Sequence, residues 1–319
     1  MYETGLQVIC FGAINLDYIF EIRKETASIL GIEPHQEYVR KDEELDPILK
    51  ILNKEGILRY TSGGGSAANT AFALSRLGIK TGFIGKVGND KEGDFLLNSF
   101  ENVDKGGINR GGRSGVALCL LIRGERAIIL FPNANDELSM REINKEYASS
   151  CKILHLTSFN SDGSFEAQKA LVASIRPEIK VSFDPGALYA RRGLEALMPI
   201  LRRTEIFFPE KKELEILTKK PWKEGALEIL NLGPKVIVVT AGGEGSYVLT
   251  KDEDFKVDAT KVPVIDTTGA GDVYAGAFLA SYIKGMSLRE SALNATALAA
   301  QSITAFGRER YPKSVGNLI

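Results

Sequence analysis

Short apolar runs recur along the chain as LQVICFG, KTGFIGKVG, CKILHLTSF, KVSFDP, TEIFFP and KVIVVTAG. In the second half, helical patterns such as RRGLEALMPILRR and EKKELEILTKK separate them. A strand that is apolar on both sides and alternates with amphipathic helices buries itself only in a parallel sheet covered on both faces. The expected fold is therefore α/β: a doubly wound, mostly parallel sheet flanked by helices.

Two regions depart from that rhythm. LDYIFEIR near the start and GVALCLLIRGERAIILF around residue 120 read as strands, the second pair joined in a hairpin at Arg123-Gly124-Glu125. They imply a small antiparallel sheet set apart from the main one. Residues 24–58 are charged and partly helical and interrupt the path to a glycine cluster at 63, so they read as part of a lid. The expectation is one domain over residues 1–319, with a discontinuous lid from about 16–62 and 112–131. No repeat and no low-complexity tract is present.

Charge excludes several partners. Lys and Arg total 40 against 41 Asp and Glu, for a net charge of −1, and no long block of one sign marks a nucleic-acid or membrane surface. Cys10, Cys119 and Cys151 are odd in number, far apart and set among apolar residues, which favours buried reduced thiols and a cytoplasmic protein. His35 and His155 are the only histidines, so a transition metal held by the protein is not expected. MYETGLQVICFG reads as a first strand and not as a signal peptide, and no apolar run has the length of a membrane span.

The densest chemistry is DTTGAGD, Asp266 to Asp272, before the helical VYAGAFLASYIK. Small residues at a helix start leave backbone N–H groups free where the helix dipole favours an anion, so a phosphoryl group fits there. Asp272 has two readings: a carboxylate that complements the dipole and caps the helix, or a base that accepts the proton of an attacking hydroxyl beside the anion pocket. The second also accounts for the glycines. Bulky side chains at Gly269 or Gly271 would block the approach, and Asp266 anchors the turn. Neither GxxxxGK[ST] nor GxGxxG after the first strand occurs.

A second segment, TSGGGSAANTAFALSRLGIKTGFIGKVGND, runs from the glycine cluster Gly63–Gly65 into a helix. Ser66 reads as its N-cap and Gly78 as its terminator. Asn69 offers donors and an acceptor, either to a ligand or to solvent on a helix face. In this order, GAINLD at 12–17, GGSAANTA and DTTGAGDVYAGAFL resemble the ribokinase family of small-molecule kinases, the pfkB carbohydrate kinases, over the whole chain.

The resemblance implies a kinase using ATP and Mg2+, with Asp272 as base and the amides of Gly269, Ala270 and Gly271 as an anion hole. Asn15, Asp17, Gly64, Gly65 and Asn69 are similar to positions that hold sugar hydroxyls. TAGGEGS at 240–246 resembles the family's nucleotide segment, giving Thr240, Gly242, Gly243 and Gly245 as nucleotide contacts, with Asn294 near the base. The same glycines also suit a plain hairpin turn, and Asn294 a solvated helix position. Glu213 looks like a carboxylate acting on Mg2+ through water, and the resemblance leaves open a monovalent cation, K+, beside Asp266 and the 305–309 segment.

Two departures bear on specificity. The family's Asn-x-x-Glu reads here Glu210-Lys211-Lys212-Glu213, and the acidic sugar contact of ribokinases is replaced by Thr157 and Ser158. The expected activity is phosphorylation of a hydroxyl on a sugar or sugar acid. The alternatives are a nucleoside kinase similar to adenosine kinases, whose lids the long insert resembles, and a catalytically silent sugar-binding homologue. The exposed edges of a small lid sheet imply a homodimer through the lid.

Overall fold

VICF is apolar at four consecutive positions, and in the computed structural model, which describes residues 5–312, it is an inner strand of a large sheet, β1 (Val8–Phe11). Val8 and Cys10 enter one buried cluster while Ile9 and Phe11 enter another, as the period of two requires of a strand covered on both faces. The chain then leaves for a second sheet through β2 (Asn15–Ile22), α1 (Lys24–Leu30), β3 (Glu37–Val39), α2 (Leu45–Glu55) and β4 (Ile57–Gly64). It re-enters the large sheet by α3 (Ser66–Arg76), β5 (Thr81–Val87), α4 (Lys91–Ser99) and β6 (Val103–Arg110).

The hairpin β7 (Gly115–Ile122) and β8 (Glu125–Phe131) returns to the second sheet. Arg123 and Gly124 both have positive φ, 54° and 85°, which is the two-residue turn whose twist matches paired strands. The large sheet is then completed by α5 (Lys145–Ala148), β9 (Ile153–Leu156), α6 (Asp162–Ser174), β10 (Lys180–Phe183), α7 (Gly186–Ala190), α8 (Leu194–Leu201), β11 (Thr204–Phe207), α9 (Lys211–Thr218), α10 (Trp222–Leu230) and β12 (Val236–Thr240). Strands β13 (Ser246–Leu249) and β14 (Asp254–Val257) and helices α11 (Ala270–Ile283) and α12 (Leu288–Ser302) follow.

The large sheet has the order β14-β13-β12-β11-β10-β9-β1-β5-β6. It is parallel from β12 to β6, with β13 and β14 antiparallel at one edge. Helices α3, α11 and α12 cover one face, and α6, α8, α9 and α10 the other. The fold is thus doubly wound, as the βα rhythm requires. From β1 the chain builds to one side through β5 and β6 and then crosses to β9 on the other, and such a switch point opens a crevice beyond the carboxyl ends of the strands.

The smaller sheet has the order β3-β8-β7-β2-β4. It is mixed rather than antiparallel: β2 pairs β4 and β7 pairs β8 antiparallel, but β2 with β7 and β3 with β8 run parallel. The hairpin pattern at 115–131 identified one antiparallel pair correctly. The parallel pairs arise because the chain makes a long excursion through the main sheet between β2 and β7, which gives it room to return in the same direction. One face of this sheet packs on α1 and α2 through Phe20, Ile22, Leu118 and Ile129, and the other is left for a cavity.

Helix α11 is buried at ten successive positions from Asp272 to Ser281, as befits a helix apolar all round and covered on several sides. Gly276 lets it cross α3 closely, since a Cβ there would stand 3.1 Å from Ala73 Cβ. The start of α3 differs from expectation: Gly65, at φ 93°, is the N-cap and Ser66 is the first helical residue. A side chain at Gly65 would collide with the Ala13 carbonyl, so backbone approach, and not hydroxyl capping, decides that position.

Candidate active site

The loop before α11 is folded by its own acid. Asp266 Oδ1 accepts from Thr268 N at 2.9 Å and from the Thr268 hydroxyl at 2.5 Å, while Oδ2 accepts from Gly307 N at 3.2 Å. Gly269 follows at φ 73° as the N-cap, and a Cβ there would collide with the Tyr311 hydroxyl. Glycine is demanded twice, by dihedral and by space. Ala270 N turns back to the Thr267 carbonyl at 3.2 Å, which differs from the expectation that it faces an anion. The amides of Gly271 and Asp272 belong to the first turn, where no intrahelical acceptor exists, and a Cβ on Gly271 would meet open space.

Asp272 is buried beside these amides. Its Oδ2 accepts from Asn69 Nδ2 of α3 at 2.8 Å, and its carbonyl accepts from the Thr70 hydroxyl at 3.2 Å. Burial raises its carboxyl to about 6, and the Asn69 and Ser66 hydrogen bonds and the Arg308 charge pull against that rise. A carboxyl near 6 is ionised at neutral pH yet basic enough to take a proton.

The small sheet supplies the opposite wall by its period of two. Asn15 and Asp17 of β2, Ala117 and Cys119 of β7, and Arg126, Ile128 and Leu130 of β8 all face the cavity. Asn15 Oδ1 accepts from Asn135 Nδ2 at 2.9 Å. Asp17 keeps some surface open to the cavity, but desolvation still pushes its carboxyl up to about 7, with Arg308 and Arg126 opposing and Asp266 and Asp272 adding to the rise. A side chain at Gly64 would strike the Asp17 carboxylate. Arg126 Nη1 donates to the Thr268 hydroxyl, tying the small sheet to the glycine loop.

The ends of the parallel strands close the third side. Asp184 after β10, Phe208, Glu210 and Glu213 after β11, and Thr240 at the end of β12 line the same cavity of about 410 Å³. Burial holds Glu213 up to about 7, although it accepts from Glu210 N at 2.8 Å, and Glu210 and Glu37 add repulsion. Asp184 is likewise raised by burial and then by Glu213 and Asp272. Among the described residues no group of three or more His, Cys, Asp or Glu is arranged to hold a metal ion.

Most of the residues singled out from the sequence therefore converge: Asn15, Asp17, Gly65, Asn69, Glu213, Thr240, Gly269, Ala270, Gly271 and Asp272 line one cavity. Gly64 lies behind Asp17 and Asp266 behind Thr268. Gly242, Gly243 and Gly245 instead form the β12–β13 turn, outside that lining, and Gly245 is placed by close approach to the Val257 carbonyl. Asn294 is buried between α11 and α12, donating to Ser281 Oγ at 3.2 Å and to Met286 Sδ, away from the cavity. The Thr157 hydroxyl accepts from Ala67 N at 3.1 Å and braces α3.

Sequence reasoning missed Asp184, Arg126 and Arg308. An Asp closing a strand in FDP and a lone Arg in an alternating apolar strand were visible signals for the first two, whereas nothing local marks Arg308.

Comparison with known proteins places the chain in a family. The model of the pfkB family carbohydrate kinases matches residues 39–312. An uncharacterized sugar kinase from Archaeoglobus fulgidus is 38% identical over 250 residues, covering 76% of this chain and 99% of that protein. Probable fructokinase-2 from Arabidopsis thaliana is 32% identical over 244 residues, covering 71% of this chain and 74% of its own. A provisionally named ribokinase II from E. coli, solved with ATP and Mg2+, superposes with a TM-score of 0.81 at 24% identity, covering 97% of this chain and 96% of that one. The chain therefore belongs to the pfkB family and is an ATP-dependent carbohydrate kinase with the ribokinase-like fold.

Proposed function

We propose that the protein transfers the γ-phosphoryl group of ATP to a hydroxyl of a sugar or sugar acid, with Asp272 as the general base. The observation that carries this reading is the single constellation at the start of α11. A buried carboxylate held at 2.8 Å by Asn69 stands beside first-turn amides that open on a cavity walled by Asp17 and Asn15. In the step envisaged, the acceptor oxygen bonds to the γ-phosphorus, the bond to the bridging oxygen of ADP breaks, and the hydroxyl proton passes to Asp272. The amides need no reorientation as charge gathers on the phosphoryl oxygens, and removing one donor of that kind costs about 3 kcal/mol.

Asp17 accepts from the acceptor's hydroxyls, and Asn15 and Asn69 add polar contacts to orient them. Glu213, acted on by the carboxylates Glu210 and Glu37, is an oxygen donor lacking positive charge, which suits Mg2+ held through water. Bound there, the ion would neutralise phosphate charge. The small sheet acts as a lid: Arg126 at the Thr268 hydroxyl is the latch, and closure keeps water from the phosphoryl group.

Incubation of the purified protein with ATP, Mg2+ and pooled sugars, sugar acids and nucleosides, read by mass spectrometry, tests the proposal. A phosphorylated sugar or sugar acid is expected. Phosphorylation of nucleosides alone would replace this reading with a nucleoside kinase.

A further inference from the structure

Arg308 lies beyond α12, yet its guanidinium reaches Asn69 at the edge of the site. Nε donates to Asn69 Oδ1 at 3.0 Å, and Asn69 Nδ2 in turn donates to Asp272 Oδ2 at 2.8 Å. The guanidinium carbon stands 4.9 Å from the centre of the Phe72 ring and 5.8 Å from that of Phe100. Gly63 makes the room, since a Cβ there would fall 2.8 Å from Nη1. Among the described residues, Nη1 and Nη2 have no hydrogen-bond partner and are sealed from solvent, and the same holds for Oδ1 of Asp17. Arg308 and Asp17 both line a chamber of about 10 Å³, adjoining the main cavity through Asp17, Asn69 and Thr268. That is room for one water or one hydroxyl.

We propose that Arg308 is the positioning residue of the base: it fixes the Asn69 carboxamide so that its NH2 points at Asp272, and its unpaired donors are completed by an acceptor hydroxyl entering beside Asp17. An asparagine amide has the same shape in two orientations, but one of them sets its oxygen against the carboxylate. Arginine carries donors only, so it accepts one orientation and rejects the other. A stacked apolar side chain would fill the same space without stranding two donors, which points to a role in chemistry rather than in packing.

The groups acting on Asp272 are Asn69 and Ser66 of α3 and Arg308, and Asp272 in turn acts on Asp17 of β2, Asp184 after β10, Cys10 of β1 and Tyr311. Arg308 is the cation in this set, so its loss also raises the proton affinity of the base.

The inference rests on Asp272 as base, and the test separates the two. Arg308→Met keeps the stacked bulk, and Arg308→Lys keeps charge without Nε. In the free protein, the carboxyl carbon signal of Asp272, assigned by its absence in Asp272→Asn, is expected to titrate about one pH unit higher in Arg308→Met. With ATP, Mg2+ and the acceptor found by the pooled screen, kcat is expected to fall about 10- to 100-fold and its acid limb to move upward. On an Asn69→Ala background, Arg308→Met is expected to add less than about twofold, because the relay is already broken.

An unchanged titration with kcat within about twofold of wild type, or fully multiplicative effects in the double mutant, overturns the inference. If Arg308→Met does not fold, Arg308→Lys decides: reduced kcat with a near-normal titration supports the relay, and wild-type kcat overturns it. Activity retained by Asp272→Asn sinks the base itself, whereas a dead Asp272→Asn with normal Arg308 variants sinks this inference alone.

Discussion

Four carboxyls in the cavity, Asp17, Asp184, Glu213 and Asp272, sit above their ordinary range, and their protonation links activity to stability. Asp272, raised to about 6, must be ionised to act, so kcat is expected to fall as pH drops through about 6, and a flat profile from pH 5 to 8 would contradict its role. Asp272→Asn is expected to lower kcat by about 10²- to 10⁴-fold without lowering the melting temperature. Asp17 shows the linkage most clearly. Its folded value of about 7 lies above the unfolded 3.8, so the native state binds the extra proton and stability falls as pH rises between those values. Asp17→Asn is therefore expected to stabilise the free protein at pH 8, on the order of 2 kcal/mol after allowing for its open surface, and to show no such gain near pH 4. Urea unfolding at the two pH values measures both, together with a raised KM for the acceptor.

At the scale of elements, α11 carries the site because it is fixed on every side. Its approach to α3 depends on Gly276, and Gly276→Val is expected to destabilise by about 1–3 kcal/mol in denaturant melts through overpacking against Ala73. The same crossing holds Asn69 against Asp272, so kcat is expected to fall more than the acceptor KM rises. The elements themselves were legible where periodicity is local. VICF, the 115–131 hairpin and the loop before α11 each declare their conformation within a few residues. The parallel pairing of β2 with β7 was not legible, because nearly a hundred residues separate the partners and neither strand encodes the direction of the other. TAGGEGS is ambiguous for a related reason: a glycine run reads alike whether it meets a ligand or, as at Gly245, another stretch of backbone.

On the scale of the whole molecule, the small sheet leaves β3 and β4 as edges, with Val39, Ile57 and Leu58 exposed. Pairing or covering these edges in a second copy is the expected outcome, so sedimentation at micromolar concentration should give a dimer, and a monomer would remove that proposal. The sequence by itself determined the doubly wound layering, the turn that brings glycine amides to the head of α11, and the candidate base, because strand period, helix period and turn chemistry are local properties. Only the tertiary structure decided that Asp184, Arg126 and Arg308 join that base, that Asn294 is buried against Ser281 outside the cavity lining, and that Asp17 is held near neutrality. Proton affinity and hydrogen-bond partnership depend on desolvation and on charges brought from distant parts of the chain, and those exist only once the strands have crossed and the C-terminal segment has packed behind the loop.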